Sequence, residues 1–341
     1  MTLASPRVEE GDAVAVVSPS FGGIGRWPHR TERGVEYLRS LGLKVKLMPH
    51  AARHGSWVSA SPEERAADLH SAFVDDEVKV IIAGIGGNHT NQLLPYLDFD
   101  LIAAHPKIVQ GYSDVTVLLW AIMKHAGLRP FYGPALVSEL AEYPQVFDYT
   151  DRFLGSAWFG DGPIRFEPAT QWTDEFLDWD AQADLERPRS TQSGEGWVAL
   201  CEGVAEGPLV AGCLETVCWH LKGSAFWPDL TGCILVLETS EEAPSPAHVD
   251  AYLTDLEQLG VFDQLSGFVM GRPANYSAEN KSQLWKIVRE RTARSGIPVL
   301  ANLDCGHTDP MLTLPLGASA YLDVASLTFE MLEPATSVVS G

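Results

Sequence analysis

Positive charge is scarce in this chain: 24 Lys and Arg stand against 45 Asp and Glu, a formal charge of -21 over 341 residues. Such a balance repels phosphate backbones and anionic headgroups, which excludes broad contact with nucleic-acid polymers or membranes. A small anionic ligand would need a local pocket of cations or backbone N–H groups. Long apolar runs are missing too. No stretch approaches the length of a transmembrane helix, and Met1 to Glu10 lacks the charged-then-apolar order of a secretory signal, so a cytoplasmic location is expected.

Cysteine is sparse. Cys201, Cys213, Cys218, Cys233 and Cys305 form an odd set without C-x-x-C spacing, mostly in or beside apolar runs, and read as reduced core residues. There is no H-E-x-x-H and no obvious carboxylate–histidine cluster, so no metal is expected. Neither the G-x-G-x-x-G spacing nor a P-loop Gly-Lys-Ser/Thr occurs, which argues against a dinucleotide site and leaves no cofactor to expect. Internal repeats and low-complexity segments are likewise absent.

What is present is alternation. Apolar strand signals at 13–18, 44–48, 78–83, 93–97 and 108–111 interleave with helical periodicity at 30–41 and 62–73, the second beginning after the cap-like Ser61. This pattern predicts an α/β fold with a parallel sheet covered on both faces and functional loops at the strand carboxyl ends. From about 155 to 197 aromatic, acidic and proline residues mix without a period, as in a crossover or active-site loop. Strand signals return at 198–201, 233–237, 267–270, 297–303, 320–323 and 327–332, with helices at 249–259 and 283–295. The expected organisation is an N-terminal parallel-sheet domain over 1–155, a connecting active-site loop over 156–196, and a smaller strand-rich α/β domain over 197–341, with the site in the cleft between the two domains.

Chemistry concentrates at three strand ends. Gly111-Tyr-Ser-Asp114 runs straight into an apolar helix, so Ser113 sits on a strand-to-helix turn that exposes a hydroxyl beside the first helical N–H groups. Ser-Asp at such a junction is also an ordinary helix cap, and Val115 stands where a nucleophile elbow has its second glycine. A serine nucleophile needs a base and an orienting acid. Glu238 ends the apolar run Ile234-Leu-Val-Leu-Glu238, and His307 follows the strand at 297–303 in the turn Asp304-Cys-Gly-His307. Asp304, Asp309, Glu241 and Glu242 compete with Glu238 for the acid role. Cys305 is better read as a small buried residue than as a thiol nucleophile, and His220 as a packing residue.

Ser113, Glu238 and His307, in that order and in those contexts, resemble the Ser-Glu-His triad of the LD-carboxypeptidase family of serine peptidases. Further matches are the segments 11–20, 86–98 and 207–214. The chain is more similar to the microcin C self-immunity branch than to the murein-recycling branch, because its third strand opens into Gly84-Ile-Gly-Gly-Asn88 rather than an Arg-Gly-Gly-Tyr-Gly loop. Cys213 departs from the glycine or asparagine of the pattern. The resemblance implies a metal-independent homodimer in which Ser113 attacks, His307 moves the proton and Glu238 orients it. The implied substrate is a small peptidyl or aminoacyl nucleotide, with murein tetrapeptide as the alternative and a non-catalytic small-ligand binding protein as a third reading.

Other residues belong to the same expectation. A tight turn is the ordinary role of Gly86-Gly87. The sharper one pairs the N–H groups of Gly87 and Asp114 as an oxyanion hole, each well-aligned donor supplying roughly 3 kcal/mol. His89 beside that loop is a candidate substrate contact. Trp172 and Trp179, seven apart, either lie on one helix face and staple the loop to the body or face the cleft and stack on a nucleobase.

Overall fold

The computed structural model describes residues 2–337. Its first sheet is built from β1 (Ala13–Val17), β2 (Lys44–Leu47), β3 (Val78–Ala83), β4 (Ile108–Gly111) and β5 (Phe131–Tyr132). All are parallel, in the order β5-β4-β3-β1-β2. β1 and β4 are buried at every position and β3 at all but one, which is why they read as near-continuous apolar runs. Lys44-Val-Lys-Leu47 is the edge, and its lysines suit that place. Helices Pro28–Ser40 and Pro62–Val74 each begin with proline at the first turn, and Ser61 and Glu64 close a reciprocal capping box on the second.

Next in chain order come β6 (Arg165–Phe166), β7 (Gln171–Trp172) and β8 (Gln192–Ser193), the last two pairing only with each other among the described residues. The second sheet comprises β9 (Val198–Cys201), β10 (Val204–Cys213), β11 (Ile234–Glu238), β12 (Gly267–Gly271), β13 (Val299–Leu303), β15 (Ser319–Asp323) and β16 (Thr328–Met331), with β6 at its edge. Its centre, β10 to β13, is parallel; β9, β15, β16 and β6 are antiparallel additions.

Three expectations change. The 93–97 run is not a strand but part of a 3-10 helix, Thr90–Tyr96, because Pro95 and Asn91 do not suit a central strand. The connecting active-site loop has other bounds than 156–196: helix Asp148–Phe159 crosses its expected start, and β6 is a strand of the second sheet. Nor is 197–341 confined to the second domain, since β14 (Leu314–Pro315) crosses back to pair with β5 at the edge of the first sheet. The chain therefore passes between the domains more than once, which fixes the strand ends of both sheets against each other. No helix among the described residues is long and apolar enough to cross a membrane.

Candidate active site

Ser113 stands one residue beyond β4, after Tyr112, and has φ +60, in the left-handed region that non-glycine residues rarely enter. The strain is held by neighbours: the Ser113 carbonyl accepts from Thr116 Oγ1 at 2.6 Å, and the Ser113 N–H donates to Tyr132 Oη at 3.3 Å. Asp114 is fully buried, and its Oδ2 accepts from the N–H groups of His89 and Thr90, both at 2.9 Å, and from Thr90 Oγ1 at 2.8 Å. The carboxylate thus clamps the glycine loop beside Ser113. A Cβ on Gly86 would lie 2.9 Å from the Ser113 Cβ; Gly87, at φ +138, would drive one to 2.5 Å from Ser20 Oγ. Only glycine fits this approach.

Glu238 is the last residue of β11 and is fully buried. Its Oε1 accepts from the Tyr132 hydroxyl at 2.5 Å and its Oε2 lies 2.8 Å from His307 Nδ1. Gly306, at φ +107, lets the histidine turn pass over this carboxylate; a Cβ there would sit 2.3 Å from Oε2. The other imidazole nitrogen, Nε2, is 3.1 Å from Glu241 Oε2. Burial disfavours the imidazolium, but Glu238 and Glu241 outweigh it and push His307 up to about 10. Of the competing acids, Asp304 is taken by Arg272 and by Trp197 Nε1 at 2.8 Å, and Asp309 by Arg189 at 2.6 Å. Among the described residues, Glu238 is the carboxylate that reaches Nδ1. Cys305 is completely buried, its thiol raised well above the ordinary range by burial and by Glu238 and Asp304.

Ser113 and His307 line one cavity of about 590 Å³, together with Gly86 and Gly87. One wall is aromatic: Phe21, Trp27, Phe176 and Trp179, with Trp27 and Trp179 edge to face at 4.9 Å. Trp179 sits in a turn, with the Arg30 guanidinium 4.1 Å from its ring centroid. The turn is pinned to the first domain by Arg26 and Trp27 on Asp180, and by Arg30 on Asp184 at 2.8 Å. Trp172 is elsewhere. It belongs to β7, not to a helix shared with Trp179, and is buried against Arg272 and Lys281. His89 does not line the cavity either; its contribution is the N–H that Asp114 holds.

Sequence reasoning missed Tyr132, Glu139, Arg30 and Arg189. Tyr132 is indistinguishable from any buried strand aromatic. Glu139 lines the cavity floor, receives Tyr112 Oη at 2.7 Å and is raised to about 7, chiefly by burial and then by Asp309. A carboxylate inside Ser138-Glu-Leu-Ala carries no local signal of such burial.

A hydroxyl on a strained turn, an imidazole held by carboxylates and a glycine loop line one cavity, and these are side-chain types that hydrolytic chemistry uses. The LD-carboxypeptidase N-terminal domain matches residues 14–133 and the LD-carboxypeptidase C-terminal domain matches residues 206–322. The chain belongs to the LD-carboxypeptidase family and is a peptidase-type hydrolase. It is 32% identical to the microcin C7 self-immunity protein MccF of Escherichia coli over 97% of this chain and 96% of that protein. Solved MccF structures, with glutamyl sulfamoyl guanosine and with aspartyl sulfamoyl adenosine, match at TM-score 0.91 and 31% identity over 98% of this chain and 100% of theirs. The murein tetrapeptide carboxypeptidase of Pseudomonas aeruginosa is 35% identical, over 30% of this chain and 34% of its own length.

Proposed function

We propose that this chain is a metal-independent serine hydrolase that cleaves the amide between an aminoacyl or peptidyl group and a nucleotide-like moiety. Ser113 Oγ attacks the carbonyl carbon while His307 Nε2 takes its proton, and Glu238 stabilises the imidazolium through Nδ1. The N–H groups of Gly87 and Asp114 receive the oxyanion. Collapse of the tetrahedral intermediate expels the leaving nitrogen, which takes the proton from His307. Water then releases the acyl group from Ser113 by the same path in reverse. In this structure Nε2 faces Glu241, so the reaction includes a shift of that carboxylate away from the imidazole.

The observation that carries the substrate reading is the aromatic wall beside the Ser113–His307 pair, with Trp179 as a platform for a planar base. The similarity to MccF along nearly the whole chain supports it. Similarity to murein enzymes gives the alternative, release of a terminal D-residue from murein tetrapeptide. A cytoplasmic homodimer completes the proposal. Incubation of the pure protein with an aminoacyl sulfamoyl adenosine and, separately, with murein tetrapeptide, followed by product mass analysis, distinguishes them. Free sulfamoyl adenosine is expected, undiminished by chelators; release of D-alanine alone would transfer the chain to the murein reading.

A further inference from the structure

Charge around the cavity is uneven. Its lining includes the carboxyl groups of Glu139, Asp174, Glu175, Glu241 and Asp309 but only two guanidinium groups, Arg30 and Arg189. Both are already committed. Arg30 donates to Asp184, to the Val137 carbonyl at 2.6 Å and to the Ser138 carbonyl at 2.8 Å. Arg189 bridges Glu142 at 2.5 Å and Asp309 at 2.6 Å. Glu175 is matched by Arg187 from outside the cavity.

Two acids, Glu241 and Asp309, keep room for a further partner. The Glu241 side chain is 67% exposed and its charged partner is His307 Nε2. Its backbone is held, since the Glu241 carbonyl accepts from Asn275 Nδ2 at 3.1 Å while the Asn275 N–H donates to Asp174 at 2.9 Å. Asp309 is only 7% exposed, and its Oδ1 has no hydrogen-bond partner among the described residues although the residue lines the cavity. A buried carboxylate oxygen without a donor calls for one.

We propose that this acidic end of the cavity receives a positive charge on the aminoacyl part of the substrate, with Glu241 as the specificity-determining residue. The inference rests on the aminoacyl-nucleotide reading and names its substrate class: conjugates whose aminoacyl side chain is cationic, as in lysyl or arginyl. The substrate cation replaces the imidazolium as the partner of Glu241, which frees His307 Nε2 to face Ser113. An acidic side chain would instead add a carboxylate beside Glu241 and Asp309, and that repulsion selects against it. The preferred conjugates therefore differ in charge from the glutamyl and aspartyl sulfamoyl nucleosides held in the MccF structures.

The test is kcat/KM for lysyl, norleucyl and glutamyl sulfamoyl adenosine, norleucyl being the neutral control for lysyl. Wild type is expected to favour lysyl over glutamyl by about tenfold or more, and Glu241→Lys, at an exposed position, to invert that order. Glu241→Gln should bring the ratio, normalised to norleucyl, close to one. Equal rates on all three conjugates, or a wild-type preference for glutamyl, would overturn the inference while leaving the proposed reaction standing. Cleavage of none of them would overturn the proposed reaction, and the inference with it.

Discussion

His307 lies between two carboxylates, and each does something different. Glu238 is buried, bonded to Nδ1 and fixed by Tyr132; Glu241 is exposed and meets Nε2, the atom that takes the serine proton in the proposed mechanism. Tyr112 packs against the ring in a tilted contact, centroids 4.9 Å apart, and buried Glu215 adds a further negative charge nearby. Only neutral imidazole is a base, so kcat/KM is expected to climb with rising pH toward about 10. Glu241→Gln removes one of the groups that favour the imidazolium and should move that climb to lower pH. A pH profile unchanged by the substitution would assign the limb to another group. Gly306→Ala tests the same contact from the other side: its Cβ would occupy the space of the Glu238 carboxylate, so turnover should fall by roughly a hundredfold or more, read in a standard progress-curve assay on protein shown to be folded.

At the scale of elements, the sequence was most readable where one local rule decides. Strands 78–83 and 108–111 coincide with their apolar runs, and the Ser61 cap starts its helix as expected. Ser61→Ala should cost about 1 kcal/mol in chemical denaturation, because the Glu64 N–H loses its acceptor. The strand-end positions of Ser113 and Glu238 and the turn position of His307 were legible for the same reason, being punctuation between apolar runs and polar turns. Residues 156–196 were not legible, since their order comes from distant partners such as Arg30 on Asp184 and Arg189 on Asp309 rather than from any period. The two tryptophans show the consequence. Trp179→Ala is expected to weaken transition-state binding of nucleotide conjugates by about 1–3 kcal/mol with little effect on a peptide lacking the base. Trp172→Ala empties a buried site beside Arg272 and should instead lower stability by about 3–5 kcal/mol, with any activity change equal on both substrates. Kinetics and unfolding of the two variants, side by side, separate these roles.

At the scale of the molecule, the site exists only while the two sheets hold their relation. Ser113 comes from the first sheet, Glu238 and His307 from the second, and Tyr132 of β5 donates across the junction to Glu238. Next to it, β14 pairs with β5, the Trp120 indole donates to the Ala211 carbonyl at 2.8 Å, and the Cys213 N–H donates to Thr116 Oγ1 at 3.1 Å. None of these long-range contacts is written in a local pattern, which is why the domain limits read from sequence were too clean. The central claim, that Ser113 is the nucleophile assembled by this junction, has one most direct measurement: turnover of an aminoacyl sulfamoyl adenosine by Ser113→Ala, on protein with wild-type unfolding behaviour. The account predicts a fall of roughly four or more orders of magnitude with the substrate still bound; turnover near the wild-type rate in the folded variant would contradict it.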